Sequence, residues 1–327
     1  MPEIEAPYGP LAFFADFEPA ASDFRADVIE GLSQPQPRLN PKYFYDAYGS
    51  HLFDKICETD EYYVTRTETA MLADFDRNAV AEIGGNAAII EYGSGSGAKI
   101  SLLLDALASP REYVAIDISR DHLINAATDL AEERPSLSVG AICADFTKPL
   151  DLPEVGDGQA DRRVGFFPGS TIGNLDRADA RKFLSQASDT LAPGGAFLIG
   201  VDLKKDEAVL NAAYNDKEGI TAAFNHNILK RLQRELDAEL DPAGFEHFAY
   251  FNHEDGRIEM HLRATSDQEI VLDGRRFAFR AGETIHTESS HKYGLDEFQE
   301  VANDAGFGAV RSWTDPDGLF SMHLLQH

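Results

Sequence analysis

The residues in this chain best suited to chemistry gather at a glycine-rich turn flanked by acids. Glu91-Tyr92-Gly93-Ser94-Gly95-Ser96-Gly97 lies between an apolar run and an amphipathic one. In that setting glycines let the backbone approach a ligand and leave amides exposed at a helix N-terminus. A nucleoside-type ligand is implied, and the same pattern taken alone also serves as an ordinary turn. Asp117 closes the next apolar run, Tyr113-Val114-Ala115-Ile116, where an acid can accept hydrogen bonds from both ribose hydroxyls. Asp145 closes the third run, in Cys143-Ala144-Asp145-Phe146. Its carboxylate can take an adenine amino group while Phe146 packs on the base. Three consecutive strand ends converge on one ligand.

The elements that must hold these residues follow from the hydrophobic pattern. Ala87-Ala88-Ile89-Ile90 reads as a strand buried on both faces. A helix from about Lys99 to Ala108 follows, with Ile100, Leu103, Leu104 and Leu107 on one face, and then the strand ending at Asp117, a right-handed βαβ unit. Further strands are expected over Ser138–Cys143, Arg163–Phe167 and Ala196–Val201, the last behind the turn Pro193-Gly194-Gly195. Ala309–Thr314 and Phe320–Leu325, joined through Asp315-Pro316-Asp317-Gly318, read as an antiparallel pair at one edge. The fold class is α/β, a parallel sheet wrapped by helices. Residues 1 to about 65 and about 205 to 291, with a long helix pattern around Ala222–Leu236, break this rhythm and are expected to form a second, α+β domain.

A nicotinamide dehydrogenase uses a comparable crevice. Glu91 ahead of Gly93-Ser94-Gly95, together with the antiparallel C-terminal pair, favours a class I methyltransferase with a Rossmann-like sheet. Composition narrows the partners. With 29 Lys and Arg against 56 Asp and Glu, the net charge is −27, a field that repels phosphate backbones and anionic membrane surfaces. Cys57 and Cys143 share no C-x-x-C or His-rich spacing, so reduced thiols and no metal are expected. Met1-Pro2-Glu3-Ile4-Glu5 has no basic start or apolar core, and no apolar run approaches the length of a membrane span. A soluble cytoplasmic monomer without nucleic-acid or membrane partners is the expectation.

Several longer segments carry a more specific likeness. Tyr43-Phe44-Tyr45-Asp46, Gly49-Ser50-His51-Leu52-Phe53, Glu61-Tyr62-Tyr63-Val64-Thr65-Arg66-Thr67-Glu68 and Pro168-Gly169-Ser170-Thr171-Ile172-Gly173-Asn174 occur in order. Gly219-Ile220-Thr221-Ala222-Ala223-Phe224-Asn225, Arg257-Ile258-Glu259-Met260 and Thr314-Asp315-Pro316 follow. Together they resemble the histidine Nα-methyltransferases of ergothioneine biosynthesis, across almost the entire chain. The resemblance implies an S-adenosylmethionine (SAM) domain over residues 66–204 and 292–327. It implies a substrate-binding domain over residues 1–65 and 205–291.

Carried over residue by residue, the likeness places Gly93, Lys99, Asp117, Asp145 and Phe146 at SAM. Tyr62, Asn174 and Tyr214 fall where the family grips the amino acid's carboxylate and amine. Glu288 and Ser290, in Thr287-Glu288-Ser289-Ser290, fall against the substrate imidazole, for which a carboxylate is a suitable partner. Met260 lines the same pocket. Without the likeness, Tyr62 reads as a core aromatic, Asn174 as a cap for a helix starting at Asp176, Glu288 as a solvent-facing acid and Met260 as core filling. One departure is the turn itself, Gly93-Ser94-Gly95-Ser96-Gly97-Ala98-Lys99, where many relatives carry bulkier, more polar residues before the lysine. The implied chemistry is in-line transfer of methyl from the sulfonium to a neutral α-amine, dominated by positioning. Asn174, Tyr45 or an ordered water would accept the proton. Repetition would give N-alpha-trimethylhistidine, hercynine. The alternatives are the same scaffold acting on another amino acid or amine such as tryptophan, and a non-catalytic binding module that keeps the crevice.

Overall fold

Largely apolar runs form the central strands, because a strand covered on both faces has few places for a solvated polar side chain. The computed structural model describes residues 4–17, 21–75, 77–95, 97–107, 109–150, 160–191 and 194–326. Met1, Pro2, Glu3, Ser96, Ala108 and Pro193, named above, lie outside them. Along the chain run β1 (Ile4–Glu5), β2 (Phe13–Asp16), β3 (Ala87–Tyr92), β4 (Glu112–Asp117), β5 (Ser138–Cys143), β6 (Arg162–Phe167) and β7 (Ala196–Asp202). Next come β8 (Phe245–Asn252), β9 (Arg257–Ala264), β10 (Gln268–Leu272), β11 (Arg275–Phe279) and β12 (Thr284–His291), and finally β13 (Gly308–Thr314) and β14 (Phe320–Gln326). Among the described residues no helix is long and apolar enough to cross a membrane.

The chain divides into two compact units, one of residues 1–18, 64–204 and 292–327, the other of residues 19–63 and 205–291. The first is built on a nine-stranded sheet in the order β1-β2-β5-β4-β3-β6-β7-β14-β13. Its middle, β5-β4-β3-β6-β7, is parallel throughout, and β14 closes antiparallel on β7 with β13 antiparallel beyond it. This is the class I methyltransferase order. The direction of winding reverses at β3, and a crevice opens at the carboxyl ends of strands at such a switch point. An aromatic core of Tyr92, Phe167, Phe183 and Phe197 packs against this sheet. Gly165 on β6 is required there, since a Cβ on it would lie 2.4 Å from the Phe197 ring.

The N-terminal segment corrects the expectation that residues 1–65 belong together in the second domain. Phe13–Asp16 adds a sixth parallel strand to the large sheet, pairing with β5 from Phe13↔Gly140 to Asp16↔Cys143. The Phe13 ring occupies the space a side chain at 140 would need, with ring carbons 2.2 Å from an ideal Cβ there. A four-residue strand is too short for periodicity to reveal.

The second unit holds the three-stranded antiparallel sheet β12-β9-β8 and the hairpin β10-β11. The helix Ile220–Leu236 buries Phe224, Ile228, Leu232 and Leu236, an i, i+4 stripe. It is tied to the helix Ala47–Glu58 through Asn227, whose Nδ2 donates to Asp46 Oδ1 at 2.7 Å. Asp46 also caps that helix, accepting from the Gly49 amide at 2.8 Å.

Candidate active site

In the first unit, four successive parallel strands deliver the candidate groups at their carboxyl ends. Tyr92 ends β3, and Gly93, at φ +78°, turns the chain while its amide donates to Ile116 O on β4 at 2.8 Å. Gly95 and Gly97 also have positive φ, and an added Cβ on either would meet nothing within 4 Å. Backbone conformation demands these glycines, and the space beside them is open. Gly97 begins the helix Ala98–Ala106, and among the described residues no side chain caps it, so its first amides can face a ligand. Ser94 Oγ is buried and has no hydrogen-bond partner among the described residues.

Asp117, at the end of β4, accepts from the Ser119 amide at 2.8 Å. Burial pushes its carboxyl up, and the Ser119 and Gly95 amides oppose that rise. Asp145 follows β5 and accepts from the Thr147 hydroxyl at 2.5 Å and the Thr147 amide at 3.1 Å. Phe146 packs edge-on against Phe167 and Tyr92, with its ring 3.8 Å from the Cβ position of Gly93. Lys99 pairs with Glu68, Nζ to Oε2 at 2.6 Å. Asn174 ends the short 3-10 turn Thr171–Asn174 after β6 and is partly buried. Its reading as a helix cap is corrected. Asp176 caps the helix Arg177–Leu191, accepting from the amides of Ala178 at 2.9 Å and Asp179 at 2.8 Å.

Sequence reasoning passed over Glu68 and Tyr113. Glu68 is fully buried, and its Oε2 also accepts from the Gly169 amide at 2.7 Å, joining the helix after the glycine turn to the loop after β6. Its only signal was its place in the Glu61–Glu68 segment. Tyr113 donates its hydroxyl to Glu91, whose carboxyl burial raises. The acid that opens the glycine turn is therefore spent within the protein.

In the second unit, Tyr45, Tyr62, Tyr214, Met260, Glu288 and Ser290 come together. Met260 on β9 faces Glu288 on β12 in register, and strand alternation puts Ser290 on the same face. The Tyr214 hydroxyl donates to Ser290 Oγ at 2.8 Å. Its ring meets Tyr62 edge-on at 6.2 Å, Tyr62 meets Phe53 at 6.3 Å, and Phe53 meets Tyr45 at 5.7 Å. Met260, Ser290, Tyr62, Tyr214 and Glu288 are all buried, Glu288 at 8% exposure. Burial first, then the neighbouring Tyr214, Cys57, Tyr45 and Glu288, push the Tyr62 phenol well above its usual value. It stays a hydrogen-bond donor at neutral pH. β12 is held in place from behind by a buried network. Thr287 Oγ1 donates to Asn225 Oδ1 at 2.8 Å, and Asn225 Nδ2 donates to His261 O at 2.9 Å and His247 Nδ1 at 2.9 Å.

Residues 24–327 match the model of a protein family described as histidine-specific, SAM-dependent methyltransferases. The chain belongs to this family. A histidine N-alpha-methyltransferase of Mycolicibacterium smegmatis is 40% identical over 321 residues, covering 96% of this chain and 98% of the relative. One from Mycobacterium tuberculosis is 38% identical, covering 92% of this chain and 94% of the relative. Ergothioneine biosynthesis protein 1 of Neurospora crassa is 30% identical over 91% of this chain and 34% of its own length. The methyltransferase uses SAM, and its crevice fits that donor. Among the described residues, the open space beside Gly95 and Gly97, the uncapped helix start and the Ser94 hydroxyl without a hydrogen-bond partner leave donors and room where a nucleoside-bearing ligand needs them.

Proposed function

We propose that this methyltransferase converts L-histidine to N-alpha,N-alpha,N-alpha-trimethylhistidine, hercynine, by successive methyl transfers in ergothioneine biosynthesis. The observation that carries this reading is the buried cluster around Glu288. A carboxylate with 8% exposure, on one sheet face with the Ser290 hydroxyl and beside the phenols of Tyr62 and Tyr214, can meet both ring nitrogens of an imidazole, whereas an apolar ring offers no polar group and an indole only one N–H. Accepting that N–H in so dry a setting stabilises the bound substrate by about 1.5–3 kcal/mol. Tyr62, protonated because it is buried, and Tyr214 hold the amino acid's carboxylate, and Ser290 joins Glu288 at the imidazole. Met260 fills the wall beside Glu288.

The donor's nucleoside lies along the crevice of the first unit. Asp117 takes the ribose hydroxyls, Asp145 the adenine amino group and Phe146 the base, while Gly93 gives close backbone approach. Lys99, anchored by Glu68, keeps the turn in place. When bound, SAM supplies a methyl on a sulfonium whose carbon–sulfur bond breaks as the carbon–nitrogen bond forms. Asn174 accepts hydrogen bonds from the α-amine, which aligns its lone pair and gives the departing proton a route to water. Each added methyl replaces an N–H and removes one of those hydrogen bonds, so the later transfers rest on the contacts to the substrate's carboxylate and imidazole. The net charge of −27 disfavours polyanionic partners, in keeping with a small-molecule substrate.

The test is incubation with SAM and a panel of free amino acids and amines, following S-adenosylhomocysteine and product mass. Histidine-dependent gains ending at the trimethyl product are expected. Turnover with tryptophan or another amine alone overturns the substrate and leaves the methyltransferase.

A further inference from the structure

Strand alternation gives the sheet β12-β9-β8 a second face, away from Glu288, Met260 and Ser290, and that face carries chemistry the methyl transfer does not use. Arg257, Glu259 and His261 alternate on it along β9, His286 sits opposite His261 in register, and Phe248 and Tyr250 face it from β8. Together with Gln36 and Thr284 they line a cavity of about 410 Å³. Glu259, His261 and His286 each offer one ligand atom within 4.8 Å of the others.

The hydrogen bonds fix the tautomers of both imidazoles. His261 Nε2 lies 2.9 Å from Glu259 Oε2, an acceptor only, so it carries the proton. His286 Nε2 lies 2.9 Å from Glu288 O, also an acceptor only, and donates in the same way. Each ring therefore keeps its lone pair on Nδ1. His261 Nδ1 is buried, in a side chain only 6% exposed, and has no hydrogen-bond partner among the described residues. A buried ring nitrogen left unpaired is costly unless something fills its lone pair. A histidine whose other N–H is held by a carboxylate or a backbone carbonyl is the arrangement that orients metal ligands.

The local charge favours a cation. Asp255 and Glu259 both bind Arg257, at 3.0 and 2.7 Å, so two carboxylates face one guanidinium and one negative charge is left over. Glu259 already receives hydrogen bonds from Tyr250, Asn252, Arg257 and His261, which makes it the orienting carboxylate more than a free ligand. With imidazole nitrogens as the principal donors, hard oxygen-seeking cations are disfavoured and borderline transition metals are selected. We propose that His261 and His286, oriented by Glu259 and the Glu288 carbonyl, form a binding site for a zinc-class divalent transition-metal ion that clips β9 to β12 on the face opposite Glu288. The chelator-sensitive element would be the strand that carries Glu288, through the bond from His286 to its carbonyl.

The experiment uses the full chain without an affinity tag, stripped by chelator and titrated with zinc chloride, with bound metal counted after equilibrium dialysis and no substrate present. One zinc per chain is expected. His261→Gln and His286→Gln should each weaken binding more than about tenfold. His253→Gln, at an exposed histidine outside the cavity, should leave it unchanged. X-ray absorption on the zinc-loaded parent needs no variant to fold, and it should show two imidazole nitrogens in the first shell at about 2.0–2.1 Å. No stoichiometric zinc in the parent, an oxygen-only shell, or parent-like affinity in both histidine variants would overturn the site.

Discussion

At the crevice of the nine-stranded sheet, the candidate groups come from turns and strand ends. Gly93, Gly95 and Gly97 at positive φ, bare amides and acids stand at the ends of strands whose interiors are pure core. On the three-stranded sheet, the candidate groups come from inside the strands and from buried aromatics, and Glu288, Ser290 and Met260 are at once wall and proposed ligand set. The difference teaches where each site can change. A turn can lose a side chain and keep its fold. A buried carboxylate among phenols cannot be altered without also altering the packing that holds it.

The largest effect is expected at Glu68, which braces the crevice from the helix Tyr63–Ala73 and not from a turn. Glu68→Ala leaves Lys99 and the Gly169 amide without their buried acceptor and opens a void beside Gly200. A loss of about 3 kcal/mol is expected in urea unfolding, the low end for a broken buried pair because Lys99 is partly exposed. An unchanged midpoint would show that the pair is dispensable. Asp117→Ala should leave stability nearly intact and weaken S-adenosylhomocysteine binding by about 1–3 kcal/mol in calorimetry. Equal affinity would remove Asp117 from the ribose. Tyr214→Phe deletes the donor to Ser290 and should raise the histidine KM by about fivefold, roughly 1 kcal/mol. A change in kcat alone would place Tyr214 elsewhere. The smallest effect concerns acid. Burial by itself would raise Asp46, but the Gly49 amide, Arg234 and Asn227 bring it below its usual 3.8. Its stabilisation is therefore full above that value and fades as pH falls toward the depressed one. Asp46→Asn should flatten unfolding free energy against pH between about 5 and 2.5, by less than about 1 kcal/mol since Arg234 is exposed. A steeper acid loss in the variant would reverse the sign.

The same contrast explains what could be read from sequence. The crevice was legible because strand, glycine turn and terminal acid are contiguous, so Gly93, Asp117 and Asp145 could be placed from local pattern. The cluster was not, because Tyr62, Tyr214 and Glu288 are brought together only by the register of β9 and β12 and by the helices beside them. Ordered family segments supplied those residues where composition would have called Glu288 solvent-facing. β2 escaped because a four-residue strand is shorter than any period, and Glu68 because one acid on a helix carries no pattern. The pair of His261 and His286 was invisible for a related reason. The two histidines are separated by the hairpin β10-β11 and meet only through antiparallel pairing.

The division of labour between the two regions is tested most directly by calorimetry on Glu288→Ala, titrated with S-adenosylhomocysteine and then with histidine. The account predicts parent-like affinity for the first ligand and at least about tenfold weaker binding of the second. Parent-like histidine binding, or loss of the nucleoside instead, would contradict it.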